Sequence, residues 1–120
     1  MQEEYFKFEK LKVWQYSIEW GEEIFLLTKQ FSKEELYSLT SQLRRAVDSI
    51  ALNIAEGSID QTNAEQKRFL SYSLRSISEV VTCLYKARRR SYLNESEFKE
   101  QYKKAHELFR MLLALKRNLK

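Results

Sequence analysis

Apolar residues recur along this chain at spacings of three and four, the period of an amphipathic helix, and the strict alternation of a half-buried strand is absent. Three cap signatures divide the pattern. Ser32-Lys-Glu-Glu35, Asn63-Ala-Glu-Gln66 and Asn94-Glu-Ser-Glu97 each set a capping residue three positions before Glu or Gln, so backbone and side-chain donors are satisfied reciprocally. Gly57 follows the run Ile50-Ala-Leu-Asn-Ile-Ala55 and reads as a helix stop, the C′ residue whose left-handed backbone costs glycine little. These signals predict helices near residues 9–30, 34–57, 64–90 and 95–118, with Tyr37-Ser38 as a point where the second could break. Short connections between long helices favour antiparallel neighbours. The expected fold is therefore all-α, an up-down-up-down four-helix bundle in a single domain spanning residues 1–120.

The first helix carries two apolar stripes. Leu11, Trp14, Ile18 and Phe25 share one side, enough for a bundle core, while Val13, Tyr16, Trp20, Ile24, Leu27 and Phe31 lie about 140° around. A monomer needs one such stripe, so the second predicts an oligomer interface at Val13, Tyr16, Trp20, Ile24 and Leu27; the alternative is that a neighbouring helix of the same chain covers it. In the third helix Phe69, Ser73, Ser76, Val80, Cys83 and Ala87 form a seam of mostly small side chains that permits close helix approach. Phe98, Tyr102, Ala105, Phe109, Leu112 and Leu119 give the fourth an ordinary core stripe, with His106 at its edge.

Composition agrees with helices, because the 120 residues include no proline and only two glycines. One cysteine and one histidine exclude a disulfide framework, a Cys/His zinc site and two-His metal ligation, and no cofactor site is indicated. Cys83, on an apolar seam and with no histidine partner evident, reads as a small buried hydrophobe rather than a nucleophile. The acidic start Met1-Gln-Glu-Glu-Tyr-Phe does not resemble a signal peptide, and no apolar run approaches bilayer length, so a cytoplasmic location with no membrane association is expected. Charge is uneven. Residues 1–63 carry 7 basic and 11 acidic side chains, residues 64–120 carry 14 and 6, and the second half is the candidate polyanion-binding half.

Two clusters are candidates for function. On the second helix Gln42, Arg45, Ser49, Asn53 and Glu56 form a polar ridge that suits a buried hydrogen-bond network, a subunit contact or a ligand site, with Arg44 or Arg45 able to pair with Glu56 or Glu79. On the third, Arg68, Arg75 and Arg89 fall close to one line with Lys86 beside them, and Arg88-Arg-Arg90 ends it. Part of that cluster would serve as a favourable charge at a helix C-terminus. As a surface, it would neutralise phosphates of RNA or DNA and bind in a salt-dependent way. Tyr92 nearby could stack on an unpaired base.

The segment Leu39-Thr-Ser-Gln-Leu-Arg-Arg-Ala46 followed by Ser49-Ile50 and Asn53-Ile-Ala-Glu-Gly57 resembles the signature of the 23S ribosomal RNA intervening-sequence proteins, a bacterial family of four-helix bundles. Leu11-Lys-Val-Trp-Gln15, Arg68-Phe-Leu70, Glu79, Tyr92-Leu93 and Arg110-Met-Leu-Leu113 extend the likeness along nearly the whole chain. Ser32 and Ala51 stand where prolines are common in that family, and Arg75 where a glycine is usual. The resemblance implies a ring-like homopentamer and no enzymatic activity; relatives associated with reverse transcriptases suggest nucleic-acid binding. The combined expectation is a non-enzymatic scaffold binding structured RNA or DNA through Arg68, Arg75, Lys86, Arg88, Arg89 and Arg90. The alternative is a module that recruits a protein partner. An enzyme would need a pocket built across subunits from Arg45, Glu56, Glu79 or His106.

Overall fold

The computed structural model describes residues 6–59 and 62–120, and these form four α-helices with no strand among them. They are α1 (Lys12–Thr28), α2 (Leu39–Ser58), α3 (Asn63–Arg89) and α4 (Glu95–Asn118), with short 3-10 turns at Lys7–Lys10 and Lys33–Glu35. Each helix packs on the next in sequence, and α4 packs back on α1. The register reverses across two of these seams. Gly57 meets Phe69 while Ser49 meets Ser76 between α2 and α3, and Tyr16 reaches Lys104 while Gln30 reaches Tyr92 between α1 and the start of α4. Ile24, Leu43, Ile50, Val80, Leu84, Leu108 and Leu112 fill the centre, each essentially inaccessible to water.

Caps explain most boundaries. Asn94 Oδ1 accepts from the Glu97 amide at 2.7 Å while Glu97 Oε1 accepts from the Asn94 amide at 2.9 Å, the reciprocal box read from the sequence. The third helix differs from expectation, because Thr62 supplies its cap by accepting from the Glu65 amide at 3.2 Å, and Asn63 is already helical. The second helix begins at Leu39 rather than near residue 34, since Ser32 caps only the 3-10 turn. The cause is Glu35. Its largely buried carboxylate accepts from Ser38 Oγ at 2.8 Å, Tyr92 Oη at 3.0 Å and Arg90 Nη1 at 3.1 Å, pulling this segment onto the α3–α4 connection and away from a helical path.

Gly57 is not a left-handed stop either; it lies inside α2, and no described glycine has a positive φ. Its missing side chain admits Phe69, whose Cβ would stand 2.6 Å from a Cβ at position 57. The left-handed residue is Ser91, at φ 64°. There the Tyr92 amide donates to the Ala87 carbonyl at 2.9 Å and the Ser91 amide to Arg88 at 3.0 Å, which closes α3 in a Schellman arrangement.

The second apolar stripe of α1, expected at an oligomer interface, faces the chain's own core instead, while Leu11 and Trp14 of the first also pack against that core. Val13, Trp20, Ile24 and Phe31 are buried in the chain's own core, with Tyr16 and Leu27 packed against it, so they are not an exposed oligomer interface. The physical reason is α4, which covers that side: the Trp20 indole N–H donates to Gln101 Oε1 at 2.8 Å, and Lys104 pairs with Glu23. Tyr16 Oη donates to the Lys104 carbonyl at 3.2 Å, and burial together with Glu107 pushes its hydroxyl up to about 12. Ile18 and Phe25, expected in the core, are 44% and 41% exposed.

Candidate nucleic-acid interface

Of the six cations expected to form one surface on α3, three are held by acidic partners. Arg68 pairs with Glu65 at 2.5 Å and lies over the rings of Phe69 and Tyr72. Arg88 donates to Glu95 at 3.1 Å with its guanidinium 3.8 Å from the Phe98 ring centre, so it clamps the end of α3 to the start of α4. Arg90 donates to both Glu35 oxygens at 3.1 Å. Because Ser38, Tyr92 and Arg90 all stabilise the ionised form, the Glu35 carboxyl is held below its ordinary value despite its burial. Tyr92 is part of the same contact, with its hydroxyl pushed upward by burial and by the Glu35 hydrogen bond, and it stacks on Phe31 at 5.1 Å.

Arg75, Lys86 and Arg89 remain exposed and have no ion pair among the described residues. A second line of cations lies on α4. Lys99, Lys103, Arg110 and Arg117 are exposed, likewise without an ion pair among the described residues, and their spacings of four and seven place them on one ridge. The sequence reading missed this ridge, although the spacing argument used for α3 would have found it.

The polar ridge of α2 is only partly joined. Ser49 Oγ donates to Ser76 Oγ at 2.5 Å across the α2–α3 seam, and Asn53 Nδ2 donates back to the Ser49 carbonyl at 2.8 Å. Ser73 Oγ adds a bond to the Ile50 carbonyl at 2.9 Å. Gln42, Arg45, Glu56 and Glu79 are exposed. The expected fork from Arg44 or Arg45 to Glu56 or Glu79 does not form, because Arg44 turns to Thr28 Oγ1 at 2.8 Å and covers the Phe25 ring. Arg45 donates to the Ser41 carbonyl within its own helix.

Cys83 is buried, and desolvation pushes its thiol above the ordinary range. Among the described residues no three His, Cys, Asp or Glu side chains are grouped to hold a metal, and no helix is long and apolar enough to cross a membrane. His106 stands exposed beside Phe109 and Tyr102, facing a groove of about 350 Å³ between α3 and α4. A second groove, about 440 Å³, runs between α1 and α2 past Trp14, Ile18, Ala51 and Leu52.

No curated protein matches the chain. Among solved structures it is similar to a protein of unknown function from the S23 ribosomal protein family of Bacteroides thetaiotaomicron, at 21% identity and a TM-score of 0.81, over 88% of this chain and 99% of that one. That likeness is one of fold. The model of the 23S rRNA-intervening sequence protein family matches residues 9–114, so four helices, the α2 signature and nearly the full length agree, and the chain belongs to that family.

Proposed function

We propose that this protein is a non-enzymatic, cytoplasmic, homo-oligomeric scaffold that binds structured RNA or other nucleic acid through its basic surface. The observation that carries the reading is the set of exposed cations on α3, Arg75, Lys86 and Arg89, left without acidic partners among the described residues in a half of the chain that is strongly basic. Phosphate is the ligand such a line of charge suits, and binding of this kind releases counterions. The reversed register at the α2–α3 and α1–α4 seams supports an up-down-up-down bundle as the repeating unit. Self-association is supported by apolar side chains left in water on α1 and α2, Leu26 at 62% and Leu52 at 67% exposed, with Ile18 and Phe25 also exposed. A ring-like pentamer is the assembly that the family resemblance implies.

Titration against a labelled structured RNA and a matching DNA duplex over a salt series tests the reading, with Arg75→Glu/Arg89→Glu alongside. Affinity that falls steeply with salt and collapses in the variant supports it; no binding of either ligand at low salt overturns it. A solution mass near five times 14.5 kDa supports the pentamer, and a clean monomer rejects it. The α1–α2 groove favours a second reading, in which the assembled scaffold recruits a protein partner.

A further inference from the structure

We propose that the face shared by α3 and α4 is a site for an unpaired, single-stranded stretch of nucleic acid, its bases lying on exposed tyrosines and its phosphates on the flanking cationic ridges. The inference rests on the nucleic-acid reading above and specifies what kind of nucleic acid, and where.

An aromatic row crosses the α3–α4 seam. Tyr85 meets Phe98 edge-on at 4.9 Å, and Phe98 stacks on Tyr102 at 5.9 Å with the rings only 16° from parallel. Phe98 is buried, whereas Tyr85 and Tyr102 are 45% and 39% exposed; the Arg88 guanidinium lies 5.1 Å from the Tyr85 ring centre, so Tyr102 is the ring with more face to offer a base. Below Tyr102 the groove continues past Val81, His106 and Phe109, with no carboxylate in its lining. Cations stand on both sides. Lys99, Lys103 and Arg110 lie on the exposed side of α4, and Arg75, one turn from the groove residue Ser78, stands on α3 with Arg89 further along. The α4 ridge from Lys99 to Arg117 rises about 27 Å, the length of several nucleotides.

Cationic ridges flanking an apolar, aromatic floor match a polyanion whose bases expose their faces. A duplex keeps those faces stacked on one another, while an unpaired strand offers them. An apolar peptide would leave both ridges without counter-charge.

The test uses the full chain, a labelled oligouridine and an RNA duplex of equal length, in a salt series. The single strand is expected to bind more tightly than the duplex. Tyr102→Ala weakens single-strand binding about tenfold and leaves duplex binding unchanged, in keeping with the loss of one base stack. Tyr102→Phe retains wild-type affinity, and Tyr37→Ala, which removes a 92% exposed tyrosine that does not line the groove, leaves the preference for single strand intact. Lys103→Glu/Arg110→Glu lowers affinity for both ligands and reduces the salt slope by about two. Tyr102→Leu, which keeps apolar packing on Phe98 without the ring, guards against misfolding and is expected to behave like Tyr102→Ala. Tighter duplex binding, or single-strand binding indifferent to the Tyr102 variants, overturns the proposal. If Arg75→Glu/Arg89→Glu still abolishes binding in that case, the broader reading stands and its site is α3 alone. Binding of neither ligand by wild type overturns both.

Discussion

Replacing Gly57 by alanine separates helix propensity from helix packing, because here the two have opposite signs. In a solvent-exposed helix interior Ala is better than Gly by about 1 kcal/mol. At Gly57 the added methyl group would lie 2.6 Å from Phe69 Cβ, 3.3 Å from its Cγ and 3.4 Å from the Gln66 carbonyl oxygen. Carbon atoms in contact prefer a separation of about 3.5–4.0 Å, so α2 and α3 would have to part locally by about 1 Å. Rotating the Phe69 ring gives no relief, since Cβ moves only with the α3 backbone. Overpacking of this kind costs about 1–3 kcal/mol. With the backbone forced to move, the upper part of that range applies, and a net loss of about 1–2 kcal/mol remains after the propensity gain. Gly21→Ala is the matched control: its methyl group would meet only Asp48 Oδ1, at 3.7 Å, an ordinary contact, so a gain of up to about 1 kcal/mol is expected. Urea unfolding followed by circular dichroism, at one fixed protein concentration to hold any association constant, reads both shifts. Alanine variants that both stabilise would refute the close approach at Gly57.

Three further outcomes follow from particular contacts. Gln101→Leu leaves the buried Trp20 indole N–H without its acceptor and should cost about 1–3 kcal/mol in urea unfolding, with Trp20→Phe/Gln101→Leu recovering part of it. Ser91→Gly relieves a left-handed residue at the end of α3 and should raise stability by about 1 kcal/mol; a loss would mean that the serine side chain contributes more than its backbone costs. Glu35 has a folded-state pKa below its ordinary 4.5, so its contribution is complete above that value and is lost as the pH falls through the lower one. Wild type should therefore lose more stability than Glu35→Gln on acidification through this window, and parallel pH profiles would contradict the assignment.

Helix number, the α4 capping box and the small-residue seam of α3 were legible because each depends on residues close in sequence. The start of α2 was not. Ser32 with Glu35 three positions on looks like a helix beginning, and nothing local reveals that Glu35 is bound by Arg90 and Tyr92 more than fifty positions away. Gly57 was noticed for the wrong reason, since a glycine admitting a neighbouring helix and a glycine ending its own look identical in one dimension. The same blindness applies to α1, whose two apolar stripes are both visible while the choice of which faces α4 depends on Gln101 and Lys104. Within the basic cluster, spacing located the cations but not their partners: Arg68, Arg88 and Arg90 are paired with Glu65, Glu95 and Glu35.

The two outer seams of the bundle also differ in when they can form. Ser49, Ser73, Ser76 and Gly57 join α2 to α3 through contacts that close loops of only about a dozen to thirty residues, whereas Trp20–Gln101 and Glu23–Lys104 join segments separated by 81 positions. On loop-closure grounds the α2–α3 hairpin is expected to form early and the α1–α4 seam to close last. The same reasoning predicts that hydrogen exchange releases amides of α1 before those at the centres of α2 and α3. Opening of that seam would expose Trp20 and Ile24, which the closed bundle keeps from water.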